Sequence, residues 1–293
     1  MLGLLQGILE QGFIYAIVSM GVYITYHILD FPDLTVDGCL PLGAAVSAAL
    51  ITRGVNGWLA LAAALAAGCA AGAVTGIIHV KCHVRNLLSG ILTMTALYSI
   101  NIGIAGSANI ALFDKPNIFN SAPGALLKPV LGNYSKVSII FIIAVAVKII
   151  LDWYLKTKSG LLLRAVGDNQ QIVTSLAKDS GAVKIAGLII SNAMVALGGA
   201  ILCQQSRAFN ITIGTGTIVI CLASVITGLS LFRRISLIKH TTAVCIGAVL
   251  YQAVVGAAIQ AGVKPEYMKA VMACLLLAVL AANHYFRGGR KNA

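Results

Sequence analysis

The chain has 293 residues, 59% of them hydrophobic and 10% charged, with a mean hydropathy of +0.92. That excludes an ordinary soluble domain, which is roughly half apolar and a quarter charged. The net charge of +12 is dispersed over short connections instead of gathered on one face, which argues against a nucleic-acid partner.

Each helix needs about 20 apolar residues to cross a bilayer, and the apolar runs here are continuous, so helices are expected and not the in-out alternation of a barrel. Apolar windows between charged and Gly/Pro punctuation predict about nine spans: 4–28, 37–54, 57–79, 86–107, 137–155, 182–204, 214–232, 240–262 and 268–286. The first has no basic region before it and exceeds the usual apolar core of a signal peptide, so it is expected to stay attached. Glu10 and Gln11 lie near its outer end.

Between the first and second spans, Asp30-Phe31-Pro32-Asp33-Leu34-Thr35-Val36-Asp37-Gly38 and Pro41 crowd acids and helix breakers. Two readings stand side by side: a broken or re-entrant helix, tolerated at membrane depth only where protein or a wet cavity surrounds it, and a plain turn. The third span, nearly all Ala, Gly and Leu from Leu59 to Gly76, reads as a packed internal helix, since small residues let helices approach closely. The fourth carries Ser89, Thr93, Ser99 and Asn101.

The connection from Asn109 to Lys136 contains Pro116, Pro123 and Pro129, and with Arg207 and Phe209–Thr215 it is expected to form an outer surface. In the fifth span Lys148 and Asp152 are four apart and predict an ion pair on one helix face. The connection 156–184 is the longest on the basic side. Asp168 with Gln171 suggests a capping box opening a short amphipathic helix through Ile172, Val173 and Leu176 to a stop at Gly181.

Orientation follows from the basic residues. Thirteen of the 21, from Lys81 and Arg85 through Arg233 and Arg234 to Lys291, fall on one set of alternate connections, and seven on the other. The positive-inside rule then places the C-terminus in the cytoplasm and, with nine spans, the N-terminus outside.

Polar groups inside spans are costly and nominate a pathway. Amides have the most groups to satisfy, so Asn101, Asn192 and Gln252 lead, followed by Thr93 and Ser224. The seven cysteines, none in a C-x-x-C pair, read as reduced packing residues. His79, Cys82 and His83 are read as interfacial residues and not as a metal site. No spacing of His, Asp, Glu or Ser makes a catalytic constellation, and no G-x-x-x-x-G-K-[ST] phosphate cradle is present.

The string Gly160-Leu-Leu-Leu-Arg-Ala-Val-Gly-Asp-Asn169, with Ser180-Gly181, Lys184 and the small-residue run Ala193–Ala200, resembles the coupling-loop region of ABC-importer permeases of the branched-chain amino-acid type. Asp30–Gly38 with Leu42-Gly-Ala-Ala45 is similar to the second-helix motif of that family, though Pro32 and three acids depart from its amide-and-glycine form. The resemblance covers nearly the whole chain. It implies an all-α, polytopic bundle of type II ABC-importer form, a single domain over 1–293, in a bacterial plasma membrane.

It also implies a separate cytoplasmic ATPase carrying the ATP and Mg, an extracytoplasmic solute-binding protein, and a second copy of this chain, besides membrane lipid. Arg164, Asp168, Asn169 and Gln170 would then contact the ATPase. The cargo would be amino acids, aromatic ones among them, with sugars or nucleosides moved by related permeases. The competing class is a secondary transporter driven by an ion gradient, which calls for an internal repeat around a midplane site.

Overall fold

The structure, a computed structural model, describes residues 2–113, 115–120, 134–169, 173, 179–232, 238–263, 267, 270–271, 273–278 and 281. The α-helices with bounds within the described residues are α1 (Leu2–Val22), α2 (Val36–Thr52), α3 (Gly57–Lys81), α4 (Asn86–Ala105), α5 (Ser135–Tyr154), α6 (Lys158–Asp168), α7 (Ser180–Ser206), α8 (Thr217–Leu231) and α9 (His240–Gln260). Two short strands, β1 (Asn109–Ala111) and β2 (Ala208–Asn210), pair antiparallel with Ile110 opposite Phe209.

Eight of the nine predicted apolar runs coincide with helices, and among the described residues seven segments are long and apolar enough to cross a membrane. The second run is the exception among them. As α2 it has only 17 residues, short of the roughly 20 that a full crossing needs. The ninth run, 268–286, falls largely outside the described residues.

Helix α7 is the axis of the bundle. Within its most apolar window 78% of residues are buried against protein, against 28% in α4 and in α5. Helices α1, α2 and α3 surround it. Contacts fix the directions: Glu10 meets Gln205 and Gly21 meets Ser191, so α1 runs against α7, whereas α2 runs with it, from Cys39 beside Asn192 to Ser47 beside Gln204.

Close packing explains the small residues. A Cβ on Gly43 would collide with the Ala196 carbonyl, and one on Gly199 with the Leu40 carbonyl, so α2 and α7 touch backbone to backbone. With no hydrophobic effect between helices in lipid, such van der Waals contact is what associates them. The long apolar helix α3 starts with Asn56, whose side chain accepts from the Trp58 amide at 3.1 Å and satisfies a terminal N–H.

The acid-rich segment is not a plain turn. Helix α1 widens into a π-helical turn over Tyr23–Ile28, with Leu29 N–H donating to Ile24 O at 2.9 Å, and Asp30 takes a left-handed φ of 50°. The chain then runs back into the bundle, where Asp33 and Thr35 are 2% and 0% exposed before α2 begins. The broken-helix reading is the one the fold adopts.

The surface expected to face outward also has a definite form. Strand β1, after α4, and β2, after α7, join the two segments that the sequence nominated separately. Residues 121–133 of the long connection lie outside the described residues.

Candidate functional site

A polar node occupies the start of α2. Asn192, near the middle of the 27-residue α7, donates from Nδ2 to Asp33 Oδ2 at 2.9 Å and to the Leu188 carbonyl at 3.1 Å. Asp33 Oδ1 accepts from the Thr35 amide at 2.9 Å, and the Thr35 and Thr75 hydroxyls meet at 3.0 Å, bringing in α3. A buried carboxylate costs several kcal/mol, of order, unless its oxygens are hydrogen-bonded, and here both are held by neutral donors.

One turn further, Asn101 of α4 donates from Nδ2 to the Gly38 carbonyl at 3.0 Å. Asp37 reaches across to the beginning of α8, accepting from Gly216 N–H at 3.0 Å and Ile218 N–H at 2.8 Å. A carboxylate suits this place because the first amides of a helix have no intrahelical acceptor and carry its positive dipole end. The broken segment and the start of α2 therefore gather α3, α4, α7 and α8 at one level. The Oδ1 atoms of both Asn101 and Asn192 are buried and without a partner among the described residues.

At the end of the bundle away from the basic connections lies a second polar cluster. Gln204 donates from Nε2 to the Ser47 hydroxyl and the Gly57 carbonyl, both at 3.1 Å, while its Oε1 accepts from Ile118 N–H at 3.0 Å. Glu10 accepts from Gln6 and Gln205 at 3.0 and 2.7 Å.

On the basic side, helix α6 lies against the end of α1. Thr157 caps it, accepting from Gly160 N–H at 3.3 Å, and it ends at Asp168. The structure adds a helix that the sequence did not predict: Lys158–Asp168 is helical, capped by Thr157 and buried along Leu163 and Val166, and Asp168 is its last residue; the expected helix from Asp168 toward Lys178 falls largely outside the described residues. Gln170, proposed with Arg164, Asp168 and Asn169, lies outside the described residues, as does most of 170–178.

Arg164, Asp168 and Asn169 are exposed, and the first two share a helix face at i, i+4. The opposite face is fitted to the break. A Cβ on Gly167 would strike the Ile28 carbonyl, and Leu163 packs with Leu29 over Gly187. Arg164 also lines a cavity of about 330 Å³ with Tyr23, Asp152, Lys239 and His240.

The expected Lys148–Asp152 pair is present at 3.2 Å, and Asp152 also binds Lys239 at 3.0 Å and the Thr241 hydroxyl, tying α5 to the start of α9. Thr93 and Ser224 are buried, with hydroxyls donating to the Ser89 and Ile220 carbonyls of their own helices. Gln252 is 7% exposed within α9. The residues that sequence reasoning missed are Asp33, Asp37, Thr35 and Gln204. The acids were conspicuous in the string, but their partners are more than a hundred residues away in the chain.

The sequence pattern of the family described as "Branched-chain amino acid transport system / permease component" matches residues 4–280. The chain belongs to that family. It is a multi-pass membrane permease of the ABC-importer type, and the family resemblance read from the sequence is thereby confirmed. The tyrosine transport system permease protein of Clostridioides difficile is 39% identical to it over 277 residues, covering 94% of this chain and 90% of that one. An uncharacterized protein of Rickettsia prowazekii is 30% identical over 280 residues, covering 94% and 95%. A nucleoside ABC transporter permease protein of Lactococcus lactis is 36% identical over 105 residues, covering 34% of the permease and 33% of its own length. No solved structure matches the permease significantly.

Proposed function

We propose that this permease is the pore-forming subunit of an ATP-driven importer for an aromatic amino acid, tyrosine foremost, with α6 as the element that receives force from a separate ATPase. The observation that carries the reading is the contact of α6 with the break in α1: Gly167 against Ile28, and Leu163 against Leu29 and Gly187. A displacement of α6 from the cytoplasm bears on Ile28 and Leu29, which lead into the segment that carries Asp33 and on to α2. The exposed Arg164 and Asp168 would meet the ATPase, and Asn169 and Gln170 would extend that surface.

The cargo reading rests on the 39% identical relative, whose name specifies tyrosine transport. The solute path is proposed to pass Asn101 and Asn192, whose amide oxygens have no partner among the described residues. Gln252, Thr93 and Ser224 belong to this proposal by position within their helices. One stripe of α4 agrees with it, Thr95, Ser99 and Gly103 at i, i+4 spacing, beside exposed Leu92, Tyr98 and Ile100 on the same helix. Apolar side chains suit lipid; hydroxyls and glycine suit a wet path or a second copy of the chain.

The full assembly in this reading has nine spans per chain, type II form, a cytoplasmic C-terminus, two copies of the permease, two ATPases and an outer binding protein. The test is reconstitution in liposomes with the ATPase and binding protein of the same system. ATP-dependent accumulation of labelled tyrosine is expected; accumulation by the permease alone under an ion gradient would replace this reading with secondary transport.

A further inference from the structure

Beneath the broken segment lies a cavity of about 770 Å³ on the basic side of the bundle. Its wall is made of Pro32 from the break, His79 and His83 from the end of α3, Arg85 before α4, and Asp179 and Lys184 at the start of α7. The volume is in the range of small-molecule sites, roughly 300–1,000 Å³. Arg85 and Lys184 are the cations that line it and Asp179 the acid.

The site is held in shape by its neighbours. Asp179 Oδ1 accepts from Gly181 N–H at 2.8 Å as the cap of α7, so part of its charge is already committed to the helix end. His83 adopts a left-handed φ of 54°, a conformation that costs a residue with a side chain about 1–2 kcal/mol. Two contacts pin that turn: Val84 N–H donates to Ile78 O at 3.5 Å, and His79 Nδ1 lies 2.8 Å from the Val84 carbonyl. A carbonyl only accepts, so Nδ1 carries the proton. The His79 ring also packs edge-on against Phe31, 5.1 Å between centroids, which joins the wall to the break. Arg85 leaves this pinned turn exposed and makes no ion pair among the described residues.

We infer that this cavity is an anion-binding vestibule that receives the carboxylate of the solute as it leaves the polar node for the cytoplasm. A guanidinium from the turn before α4 and an ammonium from α7 in one cavity match a carboxylate, Arg as a planar fork and Lys as a point charge. Pro32 in the wall is adjacent to Asp33 of the node, so the vestibule opens directly below the proposed path. The inference rests on the importer reading above and adds a chemical class, an anionic head on a small molecule, to its cytoplasmic end.

The experiment follows the fluorine resonance of 3-fluoro-L-tyrosine on titration of the full-length permease in detergent, with 3-fluorotyramine as the decarboxylated control. Binding of the amino acid is expected to be about ten-fold tighter than that of the amine, equivalent to about 1.4 kcal/mol. Arg85→Gln and Lys184→Gln should each erase most of that difference, and Arg85→Lys should keep part of it. Equal binding of the two probes, or indifference to both substitutions, overturns the inference. A phosphate-bearing lipid offers similar chemistry, so the titration is repeated in nanodiscs of phosphatidylglycerol and of phosphatidylcholine. Retention of phosphatidylglycerol that depends on Arg85, without any effect of the amino acid, assigns the cavity to lipid and also overturns it. Uptake driven by ATP in the reconstituted system separates the two claims: uptake with no probe binding removes the vestibule alone, and no uptake in any form removes the importer reading beneath it.

Discussion

Asn192 and Asp33, separated by 159 positions in the chain, meet side chain to side chain at 2.9 Å in the interior of the bundle. One belongs to the central helix and the other to the segment where the first helix breaks. Their bond fixes the level at which the chain re-enters the bundle to start α2.

Asn192→Leu leaves a carboxylate oxygen of Asp33 buried with no donor. The expected loss is about 3 kcal/mol, the penalty for an unsatisfied charged group in place of a paired one. A lower midpoint in thermal unfolding of the detergent-solubilised permease checks it, and a midpoint equal to that of the parent would show that the node carries no stability.

Gly43→Val places a branched side chain against the Ala196 carbonyl, where α2 and α7 have no space to give. Overpacking of this kind costs about 3 kcal/mol or more. Little folded protein is expected on size-exclusion chromatography.

Gly103→Leu is the opposite case, since nothing lies within 4 Å of a Cβ at that position on the exposed face of α4. Stability is expected to stay within about 0.5 kcal/mol of the parent. Uptake in liposomes should fall all the same if that face borders the path or a second copy; normal uptake would assign the face to lipid.

Gly167→Val pushes α6 away from the Ile28 carbonyl. ATP hydrolysis by the reconstituted complex is expected to persist while uptake falls at least about ten-fold, a loss of about 1.4 kcal/mol in coupling. Parallel loss of both activities would mean that the contact only holds the helix in place.

Arg164→Ala with Asp168→Ala removes the two exposed polar groups on one face of α6. Weaker co-purification of the ATPase is expected, with tyrosine binding by the outer binding protein unchanged. Undiminished co-purification would move the docking surface elsewhere.

Much of this architecture is legible in the residues alone. Continuous apolar runs bounded by charge located eight helices, because hydrocarbon admits a backbone only when its hydrogen bonds close within the segment. The Lys148–Asp152 spacing gave a pair that the fold contains, since i and i+4 always share a helix face. At Asp168 local rules saw only part of the pattern: the box of Asp168 and Gln171 was visible, but the helix that ends at Asp168, capped by Thr157, depends on Leu163 finding a buried place beside Leu29 and Gly187.

For the acids at 30–37, composition left a broken helix and a plain turn in balance, and nothing local could decide between them. Whether Asp33 is a solvated turn residue or a buried node depends on the presence of Asn192 and Thr75, and whether Asp37 is a loose charge or a cap depends on the amides of Gly216 and Ile218. What the sequence determined by itself is the membrane class, the helices and the family resemblance, all carried by periodicity, length and short motifs. Only the tertiary structure decided that the break is internal and that α6 rests on it, because hydrogen-bond satisfaction and close packing are properties of groups brought together from distant parts of the chain.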